Sequence, residues 1–377
     1  MATKTSPVTP AVLRWAISED GRSDTNLADA LKIDSKLLGS WMSGAASPTC
    51  GQVSDLARVL DRPRSLFFLP RPPETGTLPP SFRHPPGAER DVNAKVRRIV
   101  RQARRLQQAV SWALRDSKPV DLPVRPLNSA PAEAATVIRS WLRISDGDQA
   151  GWKNDYEALR AWRSALEDRD ILAFALEIGR GEVRGFSSWD PHAPLIAMNT
   201  SGVAPAPRCF TLAHELGHLV VRQDAACLDL AEVTLAEIEI ERWCEEFGAA
   251  LLMPEQSVLA LVYPRGLPRR TADLDDVREV TRRFRVSARA AALRLIDLNL
   301  AERSLYGEVL KVFVLKPRED GQPYSPPRAT ARLRQYGPRV ISTVLEALPP
   351  RDALSVLRID IEDVRRIAEE VPGVSVL

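Results

Sequence analysis

The chain has 377 residues, 44% of them apolar, and a net charge of +3. That length supports two or three domains with real cores, and no uninterrupted run of about 18 apolar residues is present to span a membrane. So weak a positive charge does not by itself point to a nucleic-acid partner. The opening residues lack the apolar core of a signal peptide. Cys50, Cys209, Cys227 and Cys244 form no Cys-x-x-Cys pair. They read as reduced thiols, and the expected compartment is the cytoplasm. Of thirty prolines, twelve fall between residues 63 and 131, which marks a segmented chain. No internal repeat at a fixed period is seen.

Residues 8–74 read as a bundle of short helices. Apolar residues are helically spaced over 11–18, and Ser23-Asp24 caps a helix through Leu31. A break at Lys32-Ile33-Asp34 precedes a helix over 35–42, which ends at Ser43-Gly44. A fourth follows Pro48-Thr49. Two short helices around a tight turn, bracketed by others, spell a helix-turn-helix. Leu27-Ala28, Trp41, Gly44 and Pro48-Thr49 resemble the XRE-type helix-turn-helix domain. The resemblance implies that Ser35, Lys36 and Ser40 face duplex DNA. Met42 departs from the family's usual Glu, and Thr25-Asn26 stands where Gln is common. Residues 1–70 carry eight Lys/Arg against seven Asp/Glu, which is not the basic excess of a phosphate-binding surface. A protein-interaction module is the other reading.

Residues 75–130 read as a basic helical linker. Arg62 to Glu74 reads as a compact apolar helix ended by prolines. Leu66-Phe67-Phe68 either completes the bundle core or docks on the next domain. The Phe-Phe-Leu-Pro series and Phe82-Arg83 resemble the connection in proteins that fuse an XRE domain to an ImmA/IrrE-type metallopeptidase. A strongly basic helix is expected over 90–115, with Arg90, Lys95, Arg97, Arg98, Arg101, Arg104, Arg105 and Arg115 interleaved by apolar residues. It reads as a solvated face packed on the following domain, or as a contact for phosphates or an acidic partner.

Residues 131–302 carry the chemistry. Helices are expected over 132–142 and 155–167. Strands are expected at 170–177, 183–187 and 193–199, the first two forming a hairpin across Gly179–Gly181. Next comes His214-Glu215-Leu-Gly-His218 in a helical run. Positions i and i+4 share a helical face, so both imidazoles can grip one metal ion. Glu215 is placed to act as general base on a water activated by that metal. Zinc suits two His and a carboxylate. Three strands before such a helix is the order of a zincin, whose edge strand borders the cleft and can accept an extended peptide.

A third ligand must come from downstream, where Asp229, Glu232, Glu237, Glu239, Glu241, Glu245 and Glu246 crowd residues 228–247. Trp243, Cys244, Phe247, Ala250 and Leu251 should point inward, and Glu241 and Glu245 share a face. The runs Pro207 to Leu219 and Glu241 to Pro254 resemble the ImmA/IrrE family of zinc metallopeptidases. The resemblance makes His214 and His218 metal ligands, Glu215 the general base and Glu241 the third ligand. Glu245 stands where the family commonly carries Asn; it either hydrogen-bonds a ligand His or competes as ligand. Tyr263, His192 and Arg208 are candidates for stabilising an oxyanion. Cys209 reads as a buried small residue rather than an inhibitory thiolate. Met253 reads as the end of a core helix, because the extended metzincin His motif is absent. Helices over 275–284 and 286–295 resemble the family's closing pair.

Residues 303–377 read as a C-terminal helical module. A strand is expected at 309–315, and helices over 332–348, 352–357 and 361–370. The expected fold is therefore α+β and predominantly helical: a helix-turn-helix bundle, a zincin-like domain with a small sheet, and a helical C-terminus. The expected function is a Zn²⁺-dependent endopeptidase. The resemblance implies limited proteolysis of a repressor or antitoxin-like protein. The alternative is a DNA-binding regulator or toxin–antitoxin component whose peptidase fold acts as a sensor.

Overall fold

The computed structural model describes residues 7–73, 94–179, 183–222, 235–263, 271–313 and 326–371. Among them lie eighteen α-helices, one 3-10 helix and three strands. None of these helices is long and apolar enough to cross a membrane. The chain forms two compact units, one of residues 1–78 with 89–102, the other of 79–88 with 103–377. The linker's Phe82-Arg83 and Arg90, Cys227, Asp229 and Glu232 lie outside the described residues, as do the side chain of Glu237 and most of the Pro-rich loop after 316.

The first unit holds α1 (Pro10–Asp20), α2 (Asp24–Leu31), α3 (Ser35–Ser43), α4 (Cys50–Val59), the 3-10 turn Arg64–Phe68 and the first half of α5 (Ala94–Ala113). Its helices begin where side chains can take up orphan amides. Ser23 caps α2, Asp34 caps α3, and Thr49 with Gln52 forms a capping box on α4. Leu13, Leu27, Leu38, Trp41, Val53, Leu56 and Phe67 fill the core. Phe67 thus completes the bundle, while Phe68 and Leu69 remain exposed. The basic helix is less solvated than expected. Arg101 donates to Glu19 O (3.0 Å) and Leu60 O (3.3 Å) and pairs with Asp20. A cation thus meets the carbonyl ends of α1 and α4, where helix dipoles favour it.

The second unit contains the rest of α5, α6 (Pro131–Trp141), α7 (Asp146–Gly151), α8 (Asp155–Glu167), β1 (Leu172–Leu176), β2 (Gly185–Ser188), β3 (Leu195–Asn199), α9 (Pro205–Val221) and α10 (Leu235–Leu252). There follow α11 (Glu255–Val262), α12 (Leu274–Phe284), α13 (Ala288–Asp297), α14 (Ser304–Val312), α15 (Arg328–Tyr336), α16 (Pro338–Ala347), α17 (Pro350–Leu357) and α18 (Ile361–Glu370).

Three local expectations are corrected. First, β1 and β2 are not a hairpin: the order is β1-β3-β2, with β1 parallel and β2 antiparallel to β3. The tight connection is the one after Ser188, and the chain from β1 passes across β3 before pairing. Part of the Gly179–Gly181 turn lies outside the described residues. Second, the apolar run from 309 is the end of helix α14, not a strand. Leu305 and Val309, spaced i and i+4, are its buried residues, and α14 packs on α12 and α13. A short apolar run does not reveal its own period. Third, the helix expected over 332–348 is two helices, broken at Gly337 (φ 82°) before Pro338.

Helices α9 and α10 cross at unusually short range. A Cβ on Gly217 would lie 3.2 Å from Cys244 Cα, and one on Gly248 would lie 3.3 Å from the His214 amide nitrogen. Two glycines therefore let the backbones approach. Helix α10 is also held at its far end. Leu251 O, Leu252 O and Met253 O accept hydrogen bonds from the buried Arg139 (2.8 Å), Gln149 (2.9 Å) and Arg294 (3.1 Å). These are carbonyls the helix cannot satisfy itself. The C-terminal helices pack on β1 through α15, where Phe174 and Tyr336 meet edge to face at 5.1 Å.

Candidate metal centre

Helix α9 is buried on nearly every side, so its His214 and Glu215 are wholly removed from solvent and His218 is half-buried. The i and i+4 spacing brings the two imidazoles together, Nε2 to Nε2 at 3.2 Å. Glu241, on α10, closes the triangle: Oε2 lies 3.2 Å from His214 Nε2 and Oε1 3.3 Å from His218 Nε2. Among the described residues, His214, His218 and Glu241 form the cluster able to hold a metal ion. Their separations test the fit. Four donors around one ion at about 2.0–2.1 Å stand about 3.3–3.4 Å apart along a tetrahedron's edges. The two imidazole nitrogens match that spacing, and the carboxylate offers each of them a different oxygen at a similar distance.

The electrostatics agree with the geometry. Burial works to raise Glu241, but hydrogen bonds from His214 and His218 outweigh it and hold this carboxyl far below the usual range. Burial likewise opposes charge on His218. The nearby Cys244, Glu241 and Glu215 overcome it and raise His218 well above an ordinary imidazole.

Glu245, one turn beyond Glu241, is exposed and does not join the converging atoms. Glu239 and Glu246 are exposed too. Trp243, Cys244, Phe247, Ala250 and Leu251 are buried, as their phase required. Cys209 is buried among core residues, and burial pushes its thiol far up, away from the thiolate. Cys244 is also buried and raised by burial, and it hydrogen-bonds His218. Arg208 donates to Thr200 O at 3.0 Å, at the end of β3. Tyr263 follows the last turn of α11. His192 sits in the turn between β2 and β3, its amide bonded to Asp190. Ser35 and Lys36 are exposed at the start of α3, and Ser40 Oγ donates to Leu37 O at 2.7 Å.

Strand β2 is an edge strand and passes directly over α9. A Cβ on Gly185 would stand 2.5 Å from Thr211 Cγ2 and 3.4 Å from Glu215 Oε1. The Asn199 amide donates to Arg184 O at 2.8 Å, which fixes the parity of the antiparallel pair. Gly185 and Ser187, both buried, therefore turn their backbone N–H and C=O away from β3, toward the edge that no described strand pairs. The sequence reading missed Gly185, Gly248 and Asn199. A glycine inside the expected strand at 183–187 and another inside a helical run were the available signals.

Residues 166–296 match the IrrE N-terminal-like domain (Peptidase_M78). The match contains all four residues of the centre. The radiation response metalloprotease IrrE of Deinococcus radiodurans is 35% identical over 114 residues, 29% of this chain and 33% of that protein. The chain thus spans about a third of the length of this relative. The IrrE-like region is metallopeptidase-like in both sequence and donor set.

Proposed function

We propose that the chain is a zinc-dependent endopeptidase, with His214, His218 and Glu241 as ligands and Glu215 as general base. The observation that carries this is the convergence of two imidazoles and a carboxylate beside a second, buried carboxylate and an edge strand. Zinc held there would supply Lewis-acid polarisation and activation of water. Glu215, adjacent to a ligand and shielded from solvent, accepts the proton and returns it to the leaving amine. Gly185 and Ser187 bind an extended peptide by strand addition, because their backbone groups face outward. Such a site cuts unfolded or loop segments. Limited proteolysis of a repressor or antitoxin-like protein is the substrate class that the family resemblance implies. The three described cysteines are free thiols, in keeping with a reducing cytoplasm.

The test is comparison of cells carrying the wild type and Glu215→Gln by quantitative proteomics, with zinc measured in both purified proteins. The expected result is one or a few proteins depleted only by the wild type, with zinc retained by the variant. Equal proteomes from the two would defeat the reading.

A second role for the N-terminal unit is favoured by one observation. Ser35 and Lys36 lie exposed at the start of α3, the second of two short helices joined by three residues. An XRE-type domain would present this end to duplex DNA.

A further inference from the structure

The edge strand β2 is only four residues long and has a single strand neighbour among the described residues. A strand so placed frays readily. Each of its ends is nevertheless held by a buried carboxamide from another element. At the start, Asn199 Nδ2 donates to Gly179 O (2.7 Å) and Val183 O (2.9 Å). Its Oδ1 accepts from the amides of Ile178 (3.2 Å) and Ser201 (2.9 Å). Both donors and both acceptor positions of this side chain are therefore used. At the other end, Gln107 of α5 donates from Nε2 to Ser188 O and Ala193 O, each at 2.9 Å. It thereby closes the turn between β2 and β3. Asn199 and Gln107 are 3% and 4% exposed.

We propose that Asn199 and Gln107 are positioning residues that pre-organise β2 as a template for an extended peptide. This rests on the reading of β2 as the substrate edge. A peptide that adds to a fraying strand must order that strand as well as itself. A peptide that adds to a pinned strand orders only itself, which is the gain from pre-organisation. The pins also fix where the template lies. Val183 and Ser188 bracket the four residues, and Gly185 at one end sits against Glu215. A carboxamide suits both places because one nitrogen supplies two donors without a charge. In each pair one carbonyl lies in a buried hydrogen bond, Val183 O and Ala193 O, and a hydrocarbon at either place would remove that partner.

The test uses the full chain with Gln107→Met, which keeps the volume and removes both donors. Asn199→Asp keeps the acceptor side and removes the donors. Hydrogen exchange is read on the fragment covering 183–189, where the Phe186 and Ser188 amides face β3. The expected result is exchange about tenfold faster there in both variants, with α9 unchanged and zinc content retained. Unchanged exchange in both variants overturns the proposal. So does acceleration spread evenly over β1, β3 and α9, which reports loss of general stability. On an internally quenched peptide library, KM should rise several-fold with kcat held within about twofold. A fall in kcat at constant KM assigns the amides to something other than the template and overturns the role. A wild type that cleaves no peptide removes the peptidase reading and the template role together, whereas the exchange result still reports on the pins.

Discussion

Gly185 lies against Glu215, where an added Cβ would stand in van der Waals contact with the carboxylate, 3.4 Å from Oε1. The same Cβ would meet Thr211 Cγ2 at 2.5 Å and the backbone oxygen of Ala197 at 2.7 Å. A methyl cannot be absorbed by a backbone atom. Gly185→Ala is therefore expected to cost about 1–3 kcal/mol, the range for overpacking. It should also displace β2 from Glu215, and misplacement near 1 Å lowers peptide cleavage about 100-fold. Gly39, on the exposed face of α3 with nothing within 4 Å, is the control. Gly39→Ala should raise stability by about 0.5–1 kcal/mol. Urea unfolding of both variants checks the pair.

The contrast between Glu241 and Glu245 separates ligand from neighbour. Glu241→Gln removes the charge that meets both imidazoles and should weaken zinc binding by at least about 100-fold. Glu245 is exposed and outside the cluster, so Glu245→Gln should bind zinc as the wild type does. Glu215→Gln should keep its zinc and lose cleavage. Competition against a chromogenic chelator measures all three. Equal zinc affinity in the Glu241 and Glu245 variants would return the third ligand to the other carboxylates of this segment.

How far the sequence carried this site depends on the range of the interactions. His214, Glu215 and His218 lie within one turn, and their relation follows from helical geometry alone. Glu241 was singled out by resemblance, because helix phase placed Glu245 on the same face. What separates the two is the close crossing of α9 and α10 at Gly217 and Gly248, a tertiary fact. Strand positions were legible from apolar runs, but pairing was not: three short strands allow several orders, and β3 is central only because of the crossover from β1. The apolar run at 309 was ambiguous for want of length. Asn199 and Gln107 gave little local signal, since their partners, Ser201 apart, lie 16 to 86 residues away.

The anchoring of the C-terminal helices should depend on pH through Glu167. This carboxyl is largely buried and pairs with Arg163 at 2.8 Å, while Arg163 also donates to Arg334 O and Arg339 to Glu167 O. Burial raises Glu167 above its usual value, with Arg163 pulling partly the other way. A raised carboxyl holds its proton more tightly in the folded state than in the unfolded one, where the value is about 4.3. Stability is therefore greatest below that unfolded value and declines as pH climbs through the raised folded value. Glu167→Gln, neutral throughout, lacks this decline. Urea midpoints at pH 4 and pH 7 should show the variant gaining on the wild type as pH rises. The opposite trend would mean that the arginines outweigh burial at this site.

A duplex-binding role for the N-terminal unit makes a restrictive prediction, because several of its cations are already engaged. Arg101 serves the carbonyls of Glu19 and Leu60, Arg22 serves Asp20 and Val59 O, and Arg14 donates to Met42 O. Ser40 is committed to Leu37 O. Lys36 and Ser35 are exposed where α3 begins, the end that meets bases and phosphates in a helix-turn-helix. Few phosphates can be neutralised, so the salt dependence of binding should be shallow. Lys36→Glu should weaken binding about equally on all sequences and reduce the salt slope by about 1. Ser40→Ala should change binding little, since its hydroxyl has a partner inside the helix. Fluorescence anisotropy with duplexes from the protein's own promoter region, over a salt series, measures each slope. Absence of binding at low salt would leave this unit as a protein-interaction module, and the same titration repeated with the wild type and Lys36→Glu distinguishes contact through α3 from attraction to the basic face of α5.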